Sequence, residues 1–422
     1  MPNPLWALGL VAAFACSSAR LTAAEAGPAP ATITLDRLIE LAREHAPTRD
    51  HILAQRAQAA AALREAGAWR NPELELNGGR ARFREEGTST GIGSVTLAQA
   101  LPSPWRRSAE LAVAESGLPR AEAAAALAWL ELELSVREAA TEHATADEAV
   151  ILAGVAATTA RDLRAAVEAR ARAGEAGQAE LARARVEEAQ AVLLVERRQR
   201  EVEATRAALA TWCGQDVPAD PLISDALPLI FPALHREALI RRALDHGPRL
   251  RLAATAQGQR QAELVARRRA WQPEVKVTGA FNREADADSW EVGVGVELPL
   301  WNRHQGSIER AAAELALAET ELRASRGDIE REVLAAWSDY ERERSLLASL
   351  ISTLRPATAE AQRLTLLAFQ AGSASFADLL ESRRAVLRVD DEALAAKRAA
   401  MTAWLRLAAV GGDFSLGKEM KP

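Results

Sequence analysis

Aromatic residues make up only 4% of this 422-residue chain, with a single tyrosine, although hydrophobic residues make up 49% of it. Glycine and proline are modest, at 24 and 18, so alanine and leucine carry the apolar count, a mixture that favours helices. No Gly-X-Y period and no dense cysteine pattern is present, which excludes collagen and disulfide scaffolds; the apolar half excludes a disordered tail. The two cysteines are Cys16, in an N-terminal leader, and Cys213, which stands alone once that leader is removed. Basic residues do not cluster: 52 of them are interleaved with 58 acids, for a net charge of −6. No phosphate-tracking stripe forms, so nucleic acid is not an expected partner.

Long hydrophobic runs are also missing. Leu5 to Ala15 is apolar but too short to span a bilayer, and small residues follow it, with cleavage patterns at Ala13-Phe14-Ala15 and Ala24-Glu25-Ala26. Residues 1–26 therefore read as a secretion signal, although no Lys or Arg precedes Arg20. Cys16 directly follows Ala15 and is the candidate for lipidation, but the leucine expected three residues before such a cysteine is absent. Beyond the leader no stretch of about eighteen apolar residues occurs, so only a β-barrel could carry the mature chain across a membrane.

Catalytic signatures are absent as well. The chain has no phosphate-binding glycine loop, no G-x-S-x-G, no H-E-x-x-H and no C-x-x-C. Its six histidines (His45, His51, His143, His235, His246 and His304) lack ligand spacing, and methionine occurs three times. Neither an enzyme, nor a cofactor, nor a tight soft-metal site is expected.

What is present is a duplication. Glu44-His45-Ala46-Pro47 and Asn71-Pro72-Glu73-Leu74 recur as Asp245-His246-Gly247-Pro248 and Gln272-Pro273-Glu274-Val275. Ala173-Gly174 with Glu180-Leu181 and Arg185 recurs as Ala371-Gly372 with Asp378-Leu379 and Arg383. Length alone would suggest two or three globular units; the repeat instead predicts one duplicated unit, 33–213 and 233–412, joined by a Pro-rich connector, 214–232, and followed by a tail, 413–422.

Each repeat reads as helix, two strands and a long helical hairpin. Ile308, Leu315, Leu322 and Ile329 recur every seven residues; Val333, Tyr340, Leu347 and Leu354 continue on a neighbouring seam, and Leu380, Leu387, Leu394 and Met401 form a third. Sustained sevens mark coiled-coil seams. A helix from Ser307 to Ala371 would run about 90–100 Å at 1.5 Å per residue, and Arg106 to Arg172 is similarly long. The hairpins turn at 172–177 and 370–375, where glycine suits the left-handed stop.

The strands fall at 72–83, 90–101, 273–281 and 289–298. Trp290, Val292, Val294, Val296 and Leu298 alternate with Glu291, Gly293, Gly295 and Glu297, giving one greasy and one charged or tiny face. The helices have committed their seams to one another, so the greasy face fits lipid and the other a wet lumen. The fold class is mainly α with a small membrane β-barrel. Four strands do not close a barrel, which takes about eight, so closure demands an oligomer. Trp69, Trp105, Trp271, Trp290 and Trp301 cluster around the strands, as an interfacial belt would.

These motifs resemble the TolC-type outer-membrane efflux factors, and most of all their CzcC-like heavy-metal branch, from Ile33 to Gly412. Carrying the resemblance are Pro299-Leu300-Trp301-Asn302-Arg303-His304-Gln305-Gly306, the turns Arg172-Ala173-Gly174-Glu175 and Gln370-Ala371-Gly372-Ser373, and Gln99-Ala100-Leu101-Pro102. Pro104-Trp105-Arg106-Arg107 departs from the branch pattern, as do Phe369 and Ala374 where some members carry a Tyr and Arg lock. The resemblance implies a homotrimer with a twelve-stranded barrel in outer-membrane lipid, continuous with a helical tunnel in the periplasm. It implies a passive exit duct for heavy-metal cations, docked to a periplasmic adaptor and an inner-membrane pump. It also carries a lumen ring of acids at the closed tip over to Asp378, Glu381 and Glu180. The small tip residues Ala173, Gly174, Gly372 and Ser373, with Leu379, would form the adaptor docking surface. Export of organic toxicants or drugs, or a non-conducting periplasmic scaffold, are the competing readings.

Overall fold

The computed structural model describes residues 31–82, 89–214, 221–223, 231–284 and 287–414. The leader with Cys16, connector residues 215–220 and 224–230, and the tail from 415 lie outside the described residues, as does Phe83. The first repeat consists of α1 (Leu35–His45), α2 (Pro47–Gly67), β2 (Glu73–Arg82), β3 (Ser89–Leu101), α3 (Pro104–Arg172) and α4 (Gln178–Cys213). Its counterpart follows the same order: α5 (Arg236–His246), α6 (Pro248–Arg269), β5 (Val275–Arg283), β6 (Asp288–Val296), α7 (Gln305–Ser349), α8 (Arg355–Gln370) and α9 (Phe376–Val410). Two short strands that the sequence pattern does not announce, β1 (Ala31–Ile33) and β4 (Pro221–Ile223), pair in parallel and tie the start of the described chain to the connector.

Each repeat opens with a broken helix, because Pro47 and Pro248 lack the N–H that would continue the preceding one. Both prolines then serve as first residues of the next helix, where their fixed φ is favourable. The long α3 absorbs Pro119 without interruption; at 69 residues it extends about 100 Å.

The second long helix is continuous but not uniform. Leu350–Leu354 form a π-helical turn between α7 and α8, immediately before Pro356. Wider turns relieve the clash of a proline ring with the carbonyl four residues earlier. One consequence is a phase shift in the expected seam: Val333, Tyr340 and Leu347 are buried, whereas Leu354 is 40% exposed and Leu350 takes the buried slot. Ile308, Leu315 and Leu322 are only half-buried, and that seam closes first at Ile329.

The cores are small and distributed along the helices. Leu38, Leu41, Leu132, Val136, Leu209 and Cys213 pack where α1 crosses α3 and α4. Leu239, Val333, Tyr340 and Leu407 do the same for α5, α7 and α9. The Tyr340 hydroxyl donates to the Pro232 carbonyl at 2.6 Å, and Trp337 Nε1 to the Leu234 carbonyl at 2.9 Å, so two of the scarce aromatics pin the connector to the helices. Along α3 the buried positions are mostly alanine, among them Ala140, Ala146, Ala149, Ala153, Ala156 and Ala160. Small side chains let long helices approach closely over many turns, each buried apolar group adding modestly to stability.

β2, β3, β5 and β6 form one antiparallel sheet in the order β2-β3-β5-β6. Both of its outer strands have an unpaired edge within the chain. No helix among the described residues is long and apolar enough to cross a membrane.

Candidate functional site

Two regions stand out, the sheet at one end and the hairpin tips at the other. In the sheet, register aligns the alternation of every strand. Leu74 pairs with Leu97, Leu76 with Val95, Val95 with Phe281, Phe281 with Trp290, Val277 with Val294 and Val275 with Val296, all side by side on one face. That face is open: Val292 is 86% exposed, and Leu74, Leu76, Val294 and Trp290 are also exposed. The opposite face carries Glu73, Glu75, Asn77, Ser94, Thr96, Lys276, Thr278, Glu291 and Gly293. There Lys276 Nζ donates to Glu73 Oε2 at 2.8 Å across the intervening strand, and Asn77 donates to Glu75 at 3.1 Å.

Tryptophans bracket the apolar band. Trp69, Trp105, Trp271 and Trp301 are exposed beside the strand ends that join the helices. At the far end Trp290 packs on Phe281 with ring centroids 4.8 Å apart and planes tilted by 49°, two pairs from the Arg283 and Asp288 ion pair that ends the ladder. Strands of 9 to 13 residues match the length that crosses a bilayer at a tilt.

At the other end the two turns have the same backbone solution. Gly174 and Gly372 adopt φ of +82° and +76°, a region open chiefly to glycine. Glu175 N donates to the Arg170 carbonyl and Ser373 N to the Ala368 carbonyl, both at 2.9 Å, closing each helix end. Behind the turns, Val167 of α3, Leu181 and Ala184 of α4, and Phe376 and Leu380 of α9 form one apolar cluster, with Phe369 of α8 packed against it. The two hairpins therefore share a core at their tips.

The expected acidic residues separate into three environments. Asp378 is the third residue of α9 and forms a capping box: Ser375 N and Oγ donate to Asp378 Oδ2 at 3.0 and 2.7 Å, while Asp378 N donates to Ser375 Oγ at 3.2 Å. These hydrogen bonds, led by the Ser375 hydroxyl, hold its carboxyl below the usual carboxylate range. Glu381 is exposed and accepts from Arg388 at 3.0 Å. Asp378 and Glu381 line one groove between α4 and α9 together with Arg183 and Arg384, so bases interleave with the acids there. Glu180, in the first turn of α4, does not line that groove; one of its carboxyl oxygens is buried without a hydrogen-bond partner.

Of the expected docking residues, Ala173, Gly174, Gly372 and Ser373 are exposed. Leu379 is not: at 4% exposure it faces the interior, so it supports the tip instead of presenting a surface. The reason is helical phase, since the capping box begins α9 at Phe376 and turns Leu379 and Leu380 inward together.

Sequence reasoning missed the polar ties between the hairpins. Arg383 is 6% exposed, and its guanidinium donates to the backbone carbonyls of Ala156 and Thr159 on α3 at 3.0 and 3.1 Å. Burial lowers its pKa from the ordinary arginine value. Next to it, Arg384 forms a 2.6 Å ion pair with the buried Glu187 of α4. The repeat partner of Arg383, Arg185, is exposed. The heptad read the positions but not which copy of the duplicated arginine turns inward. No group of His, Cys, Asp and Glu that could hold a metal occurs among the described residues.

Residues 239–413 match the family model described as outer membrane efflux protein. The cobalt-zinc-cadmium resistance protein CzcC of Cupriavidus metallidurans is 26% identical over 323 residues, 75% of each chain. Among solved structures, the fold is similar to CusC, with a TM-score of 0.76 at 18% identity over 90% of this chain and 92% of that one. The outer-membrane channel OprN gives 0.73 at 19% identity over 90% of each. The open-state MtrE outer membrane channel of Neisseria gonorrhoeae gives 0.71 at 22% identity over 90% and 89%. Residues 239–413, most of the second repeat, thus match the outer membrane efflux protein model, and over 90% of its length the chain shares the fold of CusC and of the channel OprN.

Proposed function

We propose that this protein is the outer-membrane exit duct of a tripartite efflux system, a passive channel assembled from three copies. The observation that carries the reading is the sheet: four strands, an exposed apolar face continuous across all of them, a polar opposite face and two open edges. Closing those edges with sister strands sets the apolar face against lipid and the polar face around water. Three copies make a barrel of about twelve strands, within the usual membrane range. The long helical hairpins continue the pore into the periplasm, and the exposed turns at Gly174 and Gly372 meet an adaptor, which links the duct to an inner-membrane pump.

Heavy-metal cations are the proposed cargo. Similarity to a cobalt-zinc-cadmium resistance protein supports this, and so does the carboxylate of Asp378, kept ionised by its capping bonds at the tip. Repeated about an axis, that carboxylate would present a negative ring to passing cations. Glu381 contributes less net charge, since Arg388 is paired with it. The cation is substrate, passing without tight coordination.

Purified protein in planar bilayers tests the reading. The expected result is a stable pore with cation preference and blockade by multivalent cations on the tip side. A protein that extracts without detergent and gives no conductance would overturn it.

A further inference from the structure

Charge is distributed unevenly between the two ends of the sheet. At the end that joins the helices, residues 64–72, 102–110, 266–274 and 297–310 carry nine arginines and five glutamates, in a chain whose net charge is −6. At the far end, residues 80–88 and 283–288 carry four arginines and five acids. Four segments distant in sequence supply the basic end, and only the fold gathers them into one layer. Some of its acids are already neutralised: Glu274 pairs with Arg70 and Arg106 at 2.8 and 3.8 Å, and Glu110 with Arg106 at 3.1 Å. Glu65, Glu297 and Glu309 are the remaining acids of the layer. Arg107, Arg267, Arg268, Arg269 and Arg303 form no ion pair among the described residues.

These arginines share their layer with the exposed tryptophans. The Arg107 guanidinium lies 4.7 Å from the centre of the Trp69 ring, and Arg269 donates to the Trp105 carbonyl and to Ser108 Oγ at 3.2 and 3.1 Å. Arg267 and Arg268 are exposed, in the last turn of α6 just before Trp271. Aligned on Ala68-Trp69 and Ala270-Trp271, Arg267-Arg268-Arg269 stand where the first repeat has Glu65-Ala66-Gly67. Because α2 closes at the same place with Arg64 alone in its last turn, neither the fold nor the helix dipole accounts for three arginines.

We infer that this layer binds the phosphates of anionic phospholipid headgroups in the periplasm-facing leaflet, with Arg267 and Arg268 as its principal contacts. The inference rests on the channel reading above, which sets this end of the sheet on the periplasmic side, and adds a lipid class to it. Tryptophan rings hold the headgroup level. A guanidinium beside them can bind a phosphate through two parallel hydrogen bonds while its stem lies along apolar surface. A zwitterionic headgroup brings no net charge to such a layer, whereas an anionic one complements it, by about fivefold in affinity for each arginine near the surface.

The test uses the purified full-length protein in neutral detergent, offered phosphatidylglycerol and phosphatidylcholine of identical acyl chains at equal mole fraction. Native mass spectrometry counts the lipid retained. Phosphatidylglycerol should be retained at least about tenfold over phosphatidylcholine. Arg267→Gln combined with Arg268→Gln should reduce that preference at least about fivefold, and Arg80→Gln, toward the far end of the sheet, should leave it unchanged. Should the double variant assemble poorly, the wild type carries the test alone: its preference should fall severalfold between about 50 and about 500 mM ammonium acetate, as screening of an exposed charged layer requires. Equal retention of the two lipids, a preference insensitive to salt, or one that the double variant keeps or Arg80→Gln loses equally overturns the lipid layer, and conductance in bilayers then leaves the channel reading standing. A chain that conducts no ions and retains neither lipid overturns both.

Discussion

The guanidinium of Arg383 donates to the backbone carbonyl of Ala156 at 3.0 Å, joining the second hairpin to the interior of a helix in the first. That carbonyl already belongs to the helical ladder of α3, so the arginine adds a charge-assisted second bond. With Thr159 beside it, and with Arg384 on Glu187, two successive residues of α9 hold two different helices. Replacing Arg383 by methionine, which fills similar space without donors, should loosen α9 from α3 by about 1.5–3 kcal/mol. Hydrogen exchange checks this: amides of α9 near the tip should exchange faster, while those around Tyr340 stay unchanged.

Gly372 and Leu379 should respond in opposite ways to a bulky charge. Gly372 is exposed with open space around it, so Gly372→Glu should abolish export through the adaptor surface and leave oligomer yield intact, apart from about 1 kcal/mol for its left-handed backbone. Leu379 is buried, so Leu379→Glu should lower oligomer yield itself. Export assays combined with native gels separate the two outcomes.

Asp378 and Ser375 act as one unit at the start of α9. Ser375→Ala, Asp378→Ala and the double variant should lower the melting temperature by nearly the same amount, because either loss removes the reciprocal cap. The folded-state pKa of Asp378 is depressed, so its contribution is present above the unfolded carboxylate pKa and lost as pH falls through the lower folded value. Melting curves from neutral pH downward should show the wild type converging on Asp378→Ala only at strongly acid pH.

Conductance through the tip should depend on the same carboxylate. Asp378→Asn is expected to weaken blockade by multivalent cations severalfold, and Glu381→Gln to change it less, because Arg388 already pairs with Glu381. Dose-response curves for blockade in bilayers would measure both.

Cys213 is fully buried, and desolvation pushes its thiol up to about 11. The native protein should therefore resist maleimide labelling at this residue at pH 8, and label only after unfolding. Mass spectrometry of the tryptic fragment provides the readout.

The duplication, the long hairpins and the four strands were legible because each is a local or periodic property. The sequence places Gly174 and Gly372 at turns because each combines a broken heptad with a residue free at positive φ. The two short strands β1 and β4 were not legible: three residues carry no period, and their pairing is set by where α1, α3 and α4 bring the chain. The acidic residues were found as residues, but their partners were not. Asp378 bonds to Ser375 within one turn, as its spacing implies, whereas Glu187 and Arg384 meet across 197 positions.

Long helices and alternating strands were legible from the sequence alone, since alanine, leucine and alternation act through local geometry. Tertiary structure alone decided which apolar positions close. Leu354 leaves its seam because a π-helical turn before Pro356 shifts the helix phase. Arg383 turns inward onto the carbonyls of Ala156 and Thr159 on α3, while its repeat partner Arg185 on α4 stays in solvent. Periodicity fixes which face a residue occupies; what lies opposite that face depends on how distant segments pack.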